Sequence, residues 1–112
     1  MEEFDLNKNL TGAVLKIPNR REVWLILGIK GKKNVIYLTS TDSDNYYCNS
    51  NVCHEIFPNQ KNYLVKPTRF KLVPRYLPLY TFQLYFPMRR IGWLDNVDFR
   101  NICSKLVLLN PE

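Results

Sequence analysis

The sequence predicts a mainly β protein: a small antiparallel barrel with a C-terminal α-helix, built as one domain over residues 1–112. Three observations carry this expectation. Aromatic residues make up 13% of the chain, 7 Tyr and 6 Phe among them, and rings and β-branched side chains suit a pleated, half-buried surface. Short apolar runs alternate with turn residues along most of the length. Near the end, one segment switches to helical spacing behind an aspartate.

The elements follow in order. Residues 1–11 are polar and mixed and are expected to form a loose arm. Gly12 leads into Ala13-Val14-Leu15-Lys16-Ile17, a first strand, and Pro18-Asn19 supplies turn chemistry. A second strand spans about Glu22 to Ile29. Gly31-Lys32-Lys33-Asn34 reads as a tight basic turn, and Val35 to Thr39 returns as a third strand. Two successive hairpins imply an antiparallel meander.

Asp42-Ser43-Asp44-Asn45 reads as a polar loop, Tyr46-Tyr47-Cys48 as a short strand, and Asn49 to Lys61 as an irregular excursion. Tyr63-Leu64-Val65 and Arg69-Phe70-Lys71-Leu72-Val73 are strand-like, and Pro67 between them marks an edge or a bulge. Past Pro74 and Pro78, Tyr80 to Phe86 reads as a strand covered on both faces. Asp95 is a fitting N-cap, and Asp98 complements the positive first turn. Phe99, Ile102, Cys103, Leu106 and Leu109 recur at helical spacing until Asn110-Pro111 ends the run. The economical architecture is a compact barrel, SH3-like in size, with the helix plugging or flanking it.

A chain of 112 residues can bury one modest core without staples. The formal net charge is +6. That surplus suits an anionic partner such as RNA or DNA, and it equally suits plain solubility. Three cysteines, Cys48, Cys53 and Cys103, are too few and too odd for a secreted disulfide framework. Cys48 and Cys53 are expected to be buried or idle thiols. The acidic start Met1-Glu2-Glu3-Phe4-Asp5 lacks the basic, then apolar, pattern of a signal peptide. No apolar run approaches the roughly 20 residues of a membrane helix. A cytoplasmic protein with no membrane contact is the expectation.

Two groups of side chains bear on chemistry. Arg20-Arg21 opens the second strand, and Thr39-Ser40-Thr41 ends the third. If the strands pair, guanidinium forks and hydroxyl donors converge near one sheet end, a grouping able to hold a phosphate. The plain alternative is a solvated arginine turn and a strand-end cap. Further on, Lys66, Arg69, Lys71 and Arg75 interleave with Tyr63, Phe70 and Tyr76. Cations could meet phosphates while rings stack on bases. In a period-2 strand Phe70 belongs to the core instead, with the cations at the surface. Cys48, Cys53 and His54 supply three of the four ligands a structural zinc needs, so no metal site and no cofactor is expected.

The order of these features resembles the PemK/MazF group of toxin endoribonucleases, over most of the chain from Gly12 to Leu109. The similar elements are Thr11-Gly12-Ala13-Val14, Arg20-Arg21 before Val23-Trp24-Leu25, and Leu38-Thr39-Ser40. Tyr63-Leu64-Val65-Lys66-Pro67-Thr68-Arg69 and Ile91-Gly92-Trp93-Leu94-Asp95 follow. The resemblance implies metal-independent cleavage of single-stranded RNA, with Arg20, Arg21, Thr39 and Ser40 at the reaction centre. Lys66, Arg69, Lys71 and Tyr63 would bind the RNA. It further implies a homodimer neutralised by an antitoxin, protein or RNA.

Two departures bear on activity. Glu22 follows Arg21 where the family has Pro after its Arg, in a longer loop. The family's later catalytic residue has no clear match, Lys66 and Arg69 being nearest. The other expectation is therefore a non-enzymatic SH3-like binding module, or a phage-encoded inhibitor, that binds a protein or a nucleic acid.

Overall fold

The computed structural model describes residues 11–16, 21–31, 34–41, 52–84 and 89–109. Residues 1–10 of the expected N-terminal arm, the Pro18-Asn19 turn, the Lys32-Lys33 turn tip, the loop at 42–45, the short strand at 46–48 and the helix stop at Asn110-Pro111 lie outside them. The elements run β1 (Ala13–Lys16), β2 (Val23–Lys30), β3 (Asn34–Thr41), β4 (Cys53–Ile56), β5 (Thr68–Lys71), β6 (Arg75–Pro78), α1 (Leu79–Leu84), β7 (Arg89–Trp93) and α2 (Asn96–Leu109).

The fold is the one the sequence predicts: an antiparallel sheet curled into a half-barrel, with a C-terminal helix. The strand order is β4-β5-β3-β2-β1-β7. One edge of β3 serves two partners, β6 along Asn34 to Tyr37 and β5 at Ser40 and Thr41. A bulge in β2 lies between Ile26 and Gly28, which raises the local twist.

The central strands are apolar on both faces, so each face carries its own core. Ala13, Leu15, Trp24, Ile26, Val35 and Tyr37 pack on one face with Phe82 from α1. Trp24 and Tyr37 stack there, ring centroids 4.2 Å apart. Val14, Leu25 and Leu38 pack on the other face with Ile56, Phe70 and Ile102, the last from α2. Strict alternation along β1 (Ala13, Val14, Leu15) sends successive side chains into different cores.

Several expectations are corrected. Tyr80 to Phe86 is not a strand where it is described; Leu79–Leu84 is helical, because a turn of helix delivers Phe82 to the first core while Tyr80 stays in solvent. Tyr63-Leu64-Val65 is an irregular loop rather than a strand. The excursion at 49–61 contains β4, and the proline-punctuated stretch contains β6. Cys53 is no idle thiol; it is buried and disulfide-bonded, while Cys103 is free.

The helix starts as expected. Asp95 Oδ1 accepts from the Asp98 amide at 2.8 Å, and the Asp95 carbonyl accepts from the Phe99 amide at 3.0 Å. Phe99, Ile102 and Leu106 face the second core. Val107 and Leu108, off that stripe, are exposed.

Candidate nucleic-acid interface

The start of β2 and the end of β3 pair, with Trp24 opposite Thr39 and Leu25 opposite Leu38. On the far side of β3, Ser40 lies opposite Phe70 and Thr41 opposite Arg69. Arg21 is exposed just ahead of β2. Arg21, Ser40, Thr41, Arg69 and Lys71 therefore belong to one end of the sheet. Arg20, the other half of the arginine pair, lies outside the described residues.

The three hydroxyl residues do not act as one cluster. Consecutive strand residues point to opposite faces. Thr39 shares the face of Trp24, and Ser40 the face of Phe70. Both are buried. The Ser40 hydroxyl accepts a 2.7 Å hydrogen bond from the Val23 amide, locking the β2–β3 end. Thr41, opposite Arg69 and only partly buried, is the hydroxyl nearest the exposed cations in register.

Glu22 has a position of its own here. Its Oε1 accepts from the Trp24 indole N–H at 3.3 Å. Arg69 Nε donates to Glu55 Oε2 at 3.1 Å across β5 and β4, a surface ion pair that water and salt weaken. Lys71 is half-buried, while Lys66 and Arg75 are exposed. Phe70 is fully buried and is core, not a stacking platform. Tyr63 is exposed, on the loop between β4 and β5 rather than on a strand.

That loop is built by asparagines. The Asn62 and Lys61 amides both donate to Asn59 Oδ1 at 2.8 Å, and the Asn59 amide donates back to Asn62 Oδ1 at 3.1 Å. Asn62 Oδ1 also accepts from Leu64 N–H, and its Nδ2 donates to the Phe57 carbonyl, both at 3.0 Å. The loop backbone rests directly on β7, where the Trp93 amide donates to the Lys61 carbonyl at 2.9 Å. A Cβ at Gly92 would lie 2.3 Å from the Asn62 carbonyl oxygen. The Asn-x-x-Asn spacing is the signal that could have located this turn, since Asx side chains bond to backbone two or three residues away.

On the helix side, Lys105 Nζ donates to His54 Nδ1 at 2.8 Å. Burial, then the Lys105 charge, holds His54 below the usual histidine range, against a smaller opposing pull from Asp98. Burial and the neighbouring Asp95 raise Asp98, and burial raises the Cys103 thiol. Cys53 is in a disulfide and His54 is bonded to Lys105, so the two described members of the weighed zinc set are otherwise engaged. No cluster of three or more potential ligands occurs among the described residues. No described helix is long and apolar enough to cross a membrane.

Neither a protein-family model nor a curated protein sequence matches the chain.

Proposed function

We propose that the protein binds single-stranded RNA at the sheet end that carries Arg21, Thr41, Arg69 and Lys71, and acts there as a cytoplasmic, metal-independent endoribonuclease of the PemK/MazF type. One juxtaposition supports this reading: the exposed Arg21 precedes a strand whose neighbour ends in Thr41, opposite Arg69. In the proposed reaction the adjacent 2′-hydroxyl attacks phosphorus and the bond to the 5′-oxygen breaks. The products are a cyclic phosphate and a 5′-hydroxyl. Arg21 stabilises the charge that grows on the phosphoryl oxygens, the contribution that lowers such barriers most. The reading assigns no general base. It carries with it a homodimer and a neutralising antitoxin, protein or RNA.

A second reading, binding without cleavage, is favoured by Ser40. Its hydroxyl is buried and held by the Val23 amide, and Thr39 is on the opposite face. A panel of single-stranded RNAs in EDTA separates the two. Cleavage to 5′-hydroxyl ends, reduced about a hundredfold by Arg21→Ala, supports the first. Tight binding with intact RNA supports the second. Absence of binding at low salt removes both as readings for RNA.

A further inference from the structure

We propose that the loop from Phe57 to Lys66 is a preformed platform on which Tyr63 stacks an unpaired base of the bound strand, with Lys61 and Lys66 holding the adjacent phosphates. This rests on the RNA-binding reading above and assigns base contact within it.

The first support is backbone geometry. Tyr63 has φ +55° and is the non-glycine residue with positive φ among the described residues. That region crowds Cβ of an L-residue, and Gly or Asn occupies it at less cost. Strained backbone persists where its surroundings over-determine it, and such residues gather at ligand sites. Here the surroundings are on view. Tyr63 N–H donates to the Asn59 carbonyl at 3.3 Å, Asn62 before it is fully buried, and the turn is seated on Gly92.

The second support is what this rigid turn presents. Tyr63 is 67% exposed, Phe57 64% and Val65 96%. A strained backbone here aims a ring at water instead of burying it. Base–ring stacking needs an exposed face on a fixed mount, because ordering a mobile ring would offset part of the gain. The third support is charge. Lys61 and Lys66 are exposed and carry no ion pair among the described residues. Asp95, the acid bonded to this turn, is engaged by Asn59 Nδ2 and caps α2. Cations beside an exposed ring fit a phosphate-linked base.

The experiment measures binding of the full chain to a 2′-O-methyl RNA of about ten nucleotides, within the site size of small barrels. A matched strand with abasic positions is the second probe. Tyr63→Gly removes the ring and relieves the backbone at φ +55°, so a loss of binding does not come from a weakened fold. The expected result is a higher thermal midpoint with about tenfold weaker binding to the intact strand. On the abasic strand wild type and variant bind alike. Tyr63→Phe retains wild-type affinity. Equal binding of Tyr63→Gly and wild type to the intact strand overturns the platform and leaves the ring to a protein partner. An equal loss on both strands overturns it too, since the ring would then serve the backbone or the fold. If wild type binds neither strand, the RNA reading itself has failed.

Discussion

Asn59 and Asn62 hold each other in place: each side-chain oxygen accepts the other residue's backbone N–H, at 2.8 and 3.1 Å. This reciprocal pair turns a polar stretch between β4 and β5 into a rigid element. Asn62 is fully buried with both its oxygen and its nitrogen bonded. A buried amide of this kind stabilises only because every polar atom is matched.

Asn62→Ala therefore leaves the Leu64 and Asn59 amides and the Phe57 carbonyl short of a partner. The buried Leu64 amide costs about 1–3 kcal/mol when unmatched, and the groups on the exposed Asn59 and Phe57 cost less, so a total loss near 3 kcal/mol is expected in urea unfolding. Asn62→Asp restores the acceptor and still lacks the Nδ2 donor, so it also falls below wild type. Unchanged midpoints for both would show that the turn does not depend on the pair.

Gly92→Ala tests the seat of that turn. The added carbon would meet the Asn62 carbonyl carbon at 2.5 Å and its oxygen at 2.3 Å. These are backbone atoms held on both sides, so no rotamer change relieves the contact. Overpacking against a fixed partner costs about 3 kcal/mol or more. Thermal unfolding reads the loss, and a wild-type midpoint would mean the loop moves freely off β7.

Asp95→Ala removes the acceptor for the Asp98 amide at the start of α2. Loss of such a cap costs about 1 kcal/mol. Asp95→Asn keeps a capping oxygen and recovers most of it. Denaturation in parallel with Asp95→Ser distinguishes capping from charge, because Ser caps without a carboxylate.

His54 gives the fold a pH dependence on the mildly acid side. Its folded pKa lies below the ordinary 6.5, through burial and then Lys105, with Asp98 opposing. The neutral ring is thus preferred in the folded state. Above 6.5 both states hold it neutral and its contribution is complete. As pH falls below 6.5, the unfolded chain takes up the proton first, and stability is lost down to the folded pKa. Asp98 runs oppositely: raised from 3.8, it favours the fold below that value and loses its contribution as pH rises through its folded pKa. The sequence contains one histidine, so a single imidazole resonance in NMR reports the titration. Lys105→Met moves that midpoint upward, and an unmoved midpoint would place Lys105 away from the ring in solution.

The strand and helix pattern was largely legible in the chain. Apolar runs and flanking Gly, Pro and Asn located β1, β2 and β3 within a residue or two, and Asp95 with its following stripe located α2. Period alone decides such elements when one sequence segment carries the whole signal. It failed at Leu79–Leu84, at Tyr63-Leu64-Val65, and at β4, β6 and β7. These are short, and their form depends on what they pack against rather than on their own composition.

The sequence by itself determined a β-rich chain with paired central strands and a capped helix, since these follow from side-chain period and local hydrogen bonding. Only the tertiary structure decided that Thr39 and Ser40 part to opposite faces, that Thr41 joins Arg69, and that Lys105 meets His54 across 51 residues. Local spacing cannot encode those relations, because register and curvature bring distant residues together and send neighbours apart.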